Sequence, residues 1–464
     1  MNQRLTRAAI VAACTLLSAN AALAAKAAAK PAAAPAATAD DVAAMRAQIQ
    51  ALIDRVAQLE TAQTKQTESV QTAVAAVNAQ QTINNDVQNS LDLQSDNLAK
   101  TAGNVGEWVG RYMFKGDLRW RTEAFDQQYL PIDRYRDRIR ARLSATAKVN
   151  DTIKAEIQIA SGGSDPRSPN QTLTDVNSRK PFELDLAYAE WQATPTLKVT
   201  AGKMKYPWVR AGQSLFFDGD VNPEGLAINY QGTVPGGFFA SAFYNDVVER
   251  SAAADTNMLG AQFGWRSNPA LKTRYTIGAS YFDHGGTQGY NPFASNPLFT
   301  GSANGNTTTT SAAVCRKGIT TCLQYDYNIV EVFGELATTL ANRPFTAYVD
   351  YAQNGAARLD TAYSLGFQYG RASNPNTWEV GAVYQKIEKD ALFGQYLDSD
   401  FADGVTDSDG VAVKFGYAFA RNFRFNATYF INQLNIDVPT TITGVGAVLN
   451  RDYKRLQLDI NWGF

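Results

Sequence analysis

An all-β transmembrane barrel of antiparallel strands, about sixteen in number, preceded by an N-terminal α-helical coiled coil, is the fold class that this sequence predicts. Three observations predict it. Apolar residues recur with a period of 2 from Tyr112 to the end, they recur with a period of 3.5 before Gly103, and the breaks between the alternating segments are short and long in turn.

The N-terminal elements come first in the chain. Arg4 and Arg7 precede an apolar stretch from Ala8 to Leu17, and Ala22-Leu23-Ala24 is a small-x-small cleavage site, so residues 1–24 read as a secretory signal peptide. Cys14 leaves with it; a lipoprotein reading of Cys14 has too few apolar residues before the cysteine. Residues 25–39 are an Ala/Lys/Pro linker too poor in large apolar side chains to fold. Thr38 and Asp41 form a capping-box-like start to a helix over residues 40–103. Its seam of Ile49, Leu52, Val56 and Leu59 continues, in steps of four and three, through Val70, Val77, Val87, Leu91 and Leu98. The rest of the surface is Gln, Thr, Asn and Ala, so a lone helix has nothing to bury this seam against. Self-association into three or four strands is the expectation, with an amphipathic helix lying on another surface as the alternative.

Residues 111–464 carry the barrel. Met113 to Ala124 places Leu118 and Trp120 on one face and Arg119, Arg121 and Glu123 on the other, and similar alternation recurs down to Leu456–Phe464. The segment Phe182 to Gln192 has apolar and acidic residues on both faces, which marks a bulge. Asn150-Asp151, Thr194-Pro195, Ala341 to Pro344 and Ala420 to Asn422 are short connections. Ser161 to Pro181, Tyr206 to Glu224, Asp283 to Asp326 and Lys389 to Asp409 are long ones. Short turns on one rim and long loops on the other are how bacterial outer-membrane barrels are built.

The most informative strand is "DRYRDRIRARLSATAKV", in which Arg134, Arg136, Arg138, Arg140 and Arg142 alternate with Ile139, Ala141 and Leu143. An arginine facing lipid at the midplane costs about 2–4 kcal/mol. Arg138, Arg140 and Arg142 together would consume a whole domain's stability, so the arginine row faces the interior. Neighbouring rungs about 7 Å apart repel, which requires a hydrated lumen with anionic groups or solutes nearby. Arg119, Arg121 and Arg455 extend this basic, pore-lining wall. The long connection Tyr206 to Glu224 contains Phe216, Phe217, Asp218, Asp220 and Glu224. It is expected to fold inward, the phenylalanines packing on the wall and the acids confronting the arginines; an ordinary outer loop and a calcium-binding turn are the alternatives.

Composition narrows the function classes. A formal net charge of -1 gives no case for nucleic-acid binding. Nothing after the signal approaches the length of a spanning helix. Cys315 and Cys322, in an exported chain, favour a disulfide bracing the longest loop over a metal site. The single histidine, His284, sits in a Gly-rich "DHGG" stretch without a nucleophile signature and reads as a surface-loop residue. No cofactor, metal or catalytic group is expected.

"KGDLRWRTEAF", "RYRDRIRARL", "GKMKYPW", "LFFDGDVNPEGLAINY" and the terminal Phe464 together resemble the putative porin family of Gram-negative outer membranes, over essentially the whole chain after residue 110. What the resemblance implies is a diffusion channel for small hydrophilic solutes, without naming a solute. The arginine row adds an expectation of anion preference, and the seam adds a homotrimer with its helix in the periplasm. Membrane lipid and lipopolysaccharide are the expected surroundings. The alternatives are an anchor that reaches peptidoglycan through the coiled coil, and a barrel hydrolase.

Overall fold

The computed structural model describes residues 40, 42–69, 71–72, 109–212, 214–232, 235–291 and 303–464. The signal peptide, the linker, Gly103 and the seam positions Val70, Val77, Val87, Leu91 and Leu98 lie outside the described residues. The chain divides into two compact units, Met1–Thr101 and Ala102–Phe464. In the first, residues 42–69 are helical, and Ile49, Leu52, Val56 and Leu59 are all exposed. Thr61, Thr64, Thr67 and Thr72 return their hydroxyls to the carbonyls of Ala57, Glu60, Gln63 and Glu68 at 2.7–2.8 Å, so these polar groups are satisfied within the helix.

The second unit is a closed barrel of sixteen antiparallel strands. In chain order they are β1 (Tyr112–Gln127), β2 (Arg134–Lys148), β3 (Ile153–Ser161), β4 (Phe182–Thr194), β5 (Leu197–Lys203), β6 (Glu224–Gln231), β7 (Gly237–Val248) and β8 (Thr256–Arg266). The second half comprises β9 (Arg274–His284), β10 (Tyr327–Leu340), β11 (Arg343–Asn354), β12 (Thr361–Gly370), β13 (Thr377–Ile387), β14 (Ser408–Ala420), β15 (Phe423–Leu434) and β16 (Arg451–Gly463). Each strand pairs with its sequence neighbours, and β16 returns to β1 with Asp117 opposite Gly463 and Gln127 opposite Tyr453, which removes both sheet edges. Seven short turns and eight long loops alternate between the rims. The seventeenth member of the sheet is the pair Gln171–Thr172, which extends from the loop after β3 onto Arg138 and Ile139 of β2.

The expected bulge is present. Gln158 opposes Leu186 while Ile159 opposes Leu184, so Asp185 is the extra residue of β4. The alternating pattern of the sequence extends back to Leu271, but β9 begins only at Arg274. Asn268 captures the turn, its side chain accepting from Ala270 N at 2.9 Å and its carbonyl from Leu271 N at 3.1 Å.

Outward positions carry the apolar band that faces hydrocarbon, for example Leu118, Leu143, Ile157, Phe263, Val332, Val349 and Phe415, all exposed at the surface of the single chain. Tyrosines edge it toward the long loops (Tyr244, Tyr281, Tyr351, Tyr429), and stacked aromatics edge it toward the short turns (Phe238–Phe263, Trp265–Tyr275, Phe423–Trp462). Within one strand, Tyr275 and Tyr281 stand about 20 Å apart at 3.3 Å per residue. Phe464 pairs its backbone with Gly116 at 2.9 and 3.0 Å, and its ring occupies the place where a Cβ of residue 116 would sit. Only glycine admits that close approach.

Candidate pore constriction

Loop L3 (204–223) leaves β5 and turns into the lumen, because side chains of the inner wall replace the partners that its backbone lacks. Gln262 of β8 bonds both the N–H and the carbonyl of Val209 at 2.8 Å, Glu335 of β10 accepts from Gly212 N at 2.9 Å, and Gln385 of β13 accepts from Leu215 N at 3.2 Å. The base is closed by Met204 N on Pro223 O and by Lys205 Nζ on Asn222 Oδ1, at 2.8 and 2.9 Å. Asn222 in turn donates to the carboxylate of the bulged Asp185 at 2.7 Å.

A second inward loop, L7 (388–407), meets L3. Asp390 fixes its start by accepting from the N–H and hydroxyl of Thr307, at 2.8 and 2.6 Å. Asp218 N donates to Tyr396 O, and the Asp218 carboxylate accepts from Ser399 N at 2.8 Å, so the two loops are stapled together. Trp208, Phe217, Phe243 and Phe282 stack beneath them with centroids 4.6–6.0 Å apart, and the cluster runs on through Phe216, Tyr327, Phe393 and Tyr396. One side of the lumen is therefore filled by an aromatic core.

The other side is the arginine wall. Arg140 and Arg142 grip Asp117 at 2.8 Å, and Asp220 of L3 lies against the same two guanidiniums, at 3.8 and 3.7 Å. Toward the long loops, Arg121 forks onto Asp459 at 2.7 and 2.8 Å and reaches Asp400 of L7 at 2.8 Å. Arg455 is 2.7 Å from Asp400 and also pairs with Glu123, which Arg136 shares. Arg138 donates to Asn170 O at 2.9 Å, and Arg119 to the Asn170 side chain. Seven guanidiniums thus meet the five carboxylates of Asp117, Glu123, Asp220, Asp400 and Asp459, which relieves most of the repulsion between rungs.

The loop acids are held in opposite states. Burial, reinforced by neighbouring Asp398 and Asp220, pushes the Asp218 carboxyl well above the usual range. Burial acts on Asp400 as well, but Arg455 and Arg121 overcome it and hold that carboxyl well below the range.

Several sequence expectations are corrected here. Asp218 and Glu224 do not confront the arginines: Asp218 is spent on the junction between L3 and L7, and Glu224 is the exposed first residue of β6, paired with Lys203 at 2.7 Å. Of the three acids expected in L3, Asp220 alone reaches the wall. Arg121 and Arg455 are buried beneath L7 and do not line open water, whereas Arg140 and Arg142 line a cavity of about 750 Å³ on the short-turn side. His284 is not in a surface loop. It ends β9, 1% exposed, against Phe393, Tyr396 and Tyr327. Cys315 and Cys322 are bonded, with Cα atoms 5.5 Å apart. The inward fold of L7 is not among the sequence expectations, although its "LFGQYLDSDFADG" repeats the pattern of aromatic residues followed by Asp-x-Asp seen in the "LFFDGD" of L3.

A profile of the Putative porin family matches residues 127–334 and 324–462. The chain belongs to that family. Among solved structures, OprB of Pseudomonas putida matches this porin at a TM-score of 0.50 and 13% identity, over 78% of this chain and 97% of that one. The trimer form of OmpT, an outer-membrane protein of Vibrio cholerae, gives 0.41 and 14% over 76% and 99%. A mutant Rhodopseudomonas blastica porin gives 0.40 and 12% over 76% and 100%. At such identities the likeness concerns the fold. A search of curated proteins finds no match. Family and barrel together make the chain an outer-membrane porin.

Proposed function

We propose that the porin passes small hydrophilic solutes by diffusion through an eccentric, water-filled lumen, with a constriction beside the ion-paired cluster of Arg140, Arg142 and Asp220 that favours anions. The observation that carries this reading is the opening of about 750 Å³ bordered by Arg140 and Arg142, beside which one L3 carboxylate, Asp220, ion-pairs with both guanidiniums in a wall with more arginines than acids. Each guanidinium also shares Asp117, so the preference for anions is modest. Salt-gradient reversal potentials in planar bilayers test it. Asp220→Asn removes the opposing carboxylate and is expected to raise both conductance and anion selectivity, whereas the R140Q/R142Q variant is expected to shift selectivity toward cations. Cation selectivity in the unaltered protein would overturn the reading.

The assembly that fits is a homotrimer. On the lipid side, Ala147, Ala155, Ala189 and Ala201 lie opposite one another across four consecutive strands, β2 to β5, a flat row unlike the bulky aromatics elsewhere. The exposed seam of the helical arm, read as periplasmic, supplies a second contact between copies.

A further inference from the structure

We infer that the vestibule on the short-turn side of the constriction is a binding site for small divalent oxyanions. The inference rests on the reading of the barrel as an open channel but not on which ion the constriction prefers. Its cavity of about 750 Å³ is lined by five arginines, Arg140, Arg142, Arg274, Arg371 and Arg424, against two acids, Asp117 and Glu379. Both acids are already engaged. Asp117 is held by Arg140 and Arg142, and Glu379 accepts from Gln368 Nε2 at 3.1 Å and Ala372 N at 2.9 Å.

The other three guanidiniums are placed differently from those of the buried wall. Arg274, Arg371 and Arg424 are exposed, and among the described residues none of them forms an ion pair. Arg424 makes only a 3.5 Å contact to Ala372 O. They approach the cavity from separate elements: Arg274 from the start of β9, Arg371 from the turn after β12, and Arg424 from the start of β15. An anion inside is therefore met from several directions.

The chemistry selects the ligand class. Guanidinium presents a planar fork that matches the paired oxygens of a carboxylate, phosphate or sulfate, and a spherical halide cannot use that geometry. A second negative charge doubles the attraction to every surrounding arginine, while the polar lining of Thr346, Ser373, Asn422 and Asn461 supplies further donors. The cavity is wider than one such ion. The ligand therefore keeps part of its water, exchanges quickly and can move on toward the constriction.

Two measurements on the full-length protein test this. In detergent micelles at pH 8, the 31P line of inorganic phosphate is expected to broaden with the unaltered porin and to lose at least three-quarters of that broadening with the R274Q/R371Q/R424Q variant. Equal broadening by both proteins, or by neither, overturns the site. In planar bilayers, phosphate, sulfate and succinate are each expected to reduce the chloride current, with half-effect at least fivefold lower in concentration than for acetate. An identical response to acetate overturns the divalent preference. An effect confined to phosphate overturns the shared oxyanion class. Absence of any conductance in potassium chloride overturns the channel reading and with it the ligand's onward path, whereas the phosphate measurement, made without a bilayer, reads the site separately.

Discussion

Asp218 and Asp400 stand within the same pair of loops yet respond to acid in opposite senses. A carboxyl held below its unfolded value stabilises the fold above that unfolded value and loses its contribution as pH falls through the depressed one. Asp400 therefore keeps L7 on Arg121 and Arg455 through mild acid and releases it only in strong acid. Asp218 is raised, so its ionised form weakens the junction, and stability there increases as pH falls from the raised value toward the ordinary carboxylate range. Asp400→Asn takes one carboxylate from Arg121 and Arg455, which keep Asp459 and Glu123, and is expected to lower stability by about 1–3 kcal/mol, as read from urea titrations in micelles. Asp218→Asn is expected to flatten the pH dependence above the ordinary carboxylate range. A variant that retains the full dependence would assign that titration to another group.

The strands and inward loops differ in how much of them the sequence reveals. Period 2 is a local property, so the strands, the rim alternation and the inward face of Arg138, Arg140 and Arg142 could all be read along the chain. The partners of those arginines could not. Arg121 meets Asp400 at a separation of 279 residues and Asp459 at 338, and only the inward fold of L7 and the closure of the ring bring them together. For the same reason "DHGG" looked like open loop, while the folding of L7 onto it buried His284. The aromatic core shows how finely the wall is fitted to the loops. At Gly260, a Cβ would lie 2.1 Å from the Phe243 ring, which stacks on Trp208 of L3. Gly260→Ala is expected to cost about 1–3 kcal/mol by overpacking, measured in the same urea titration, and to broaden the distribution of single-channel conductances as L3 loosens.

At the scale of the whole molecule, the barrel and the helical arm make separable contributions to the proposed trimer. Deleting residues 40–100 is expected to shift cross-linked trimers toward monomers while conductance per barrel persists. Unchanged trimers after the deletion would assign assembly to the barrel face alone, and loss of cell-wall attachment without dissociation would favour the tethering alternative. The one-residue insertion in β4 has a consequence for any such dissection. Leu184 points out and Leu186 points in, on either side of Asp185, so excising Asp185 would make them successive members of an ordinary strand and transpose neither face. The cylinder does not need that residue to keep its parity, yet Asn222 at the foot of L3 hangs from its carboxylate. A single deletion can thus unfasten the diaphragm and leave the tube around it intact.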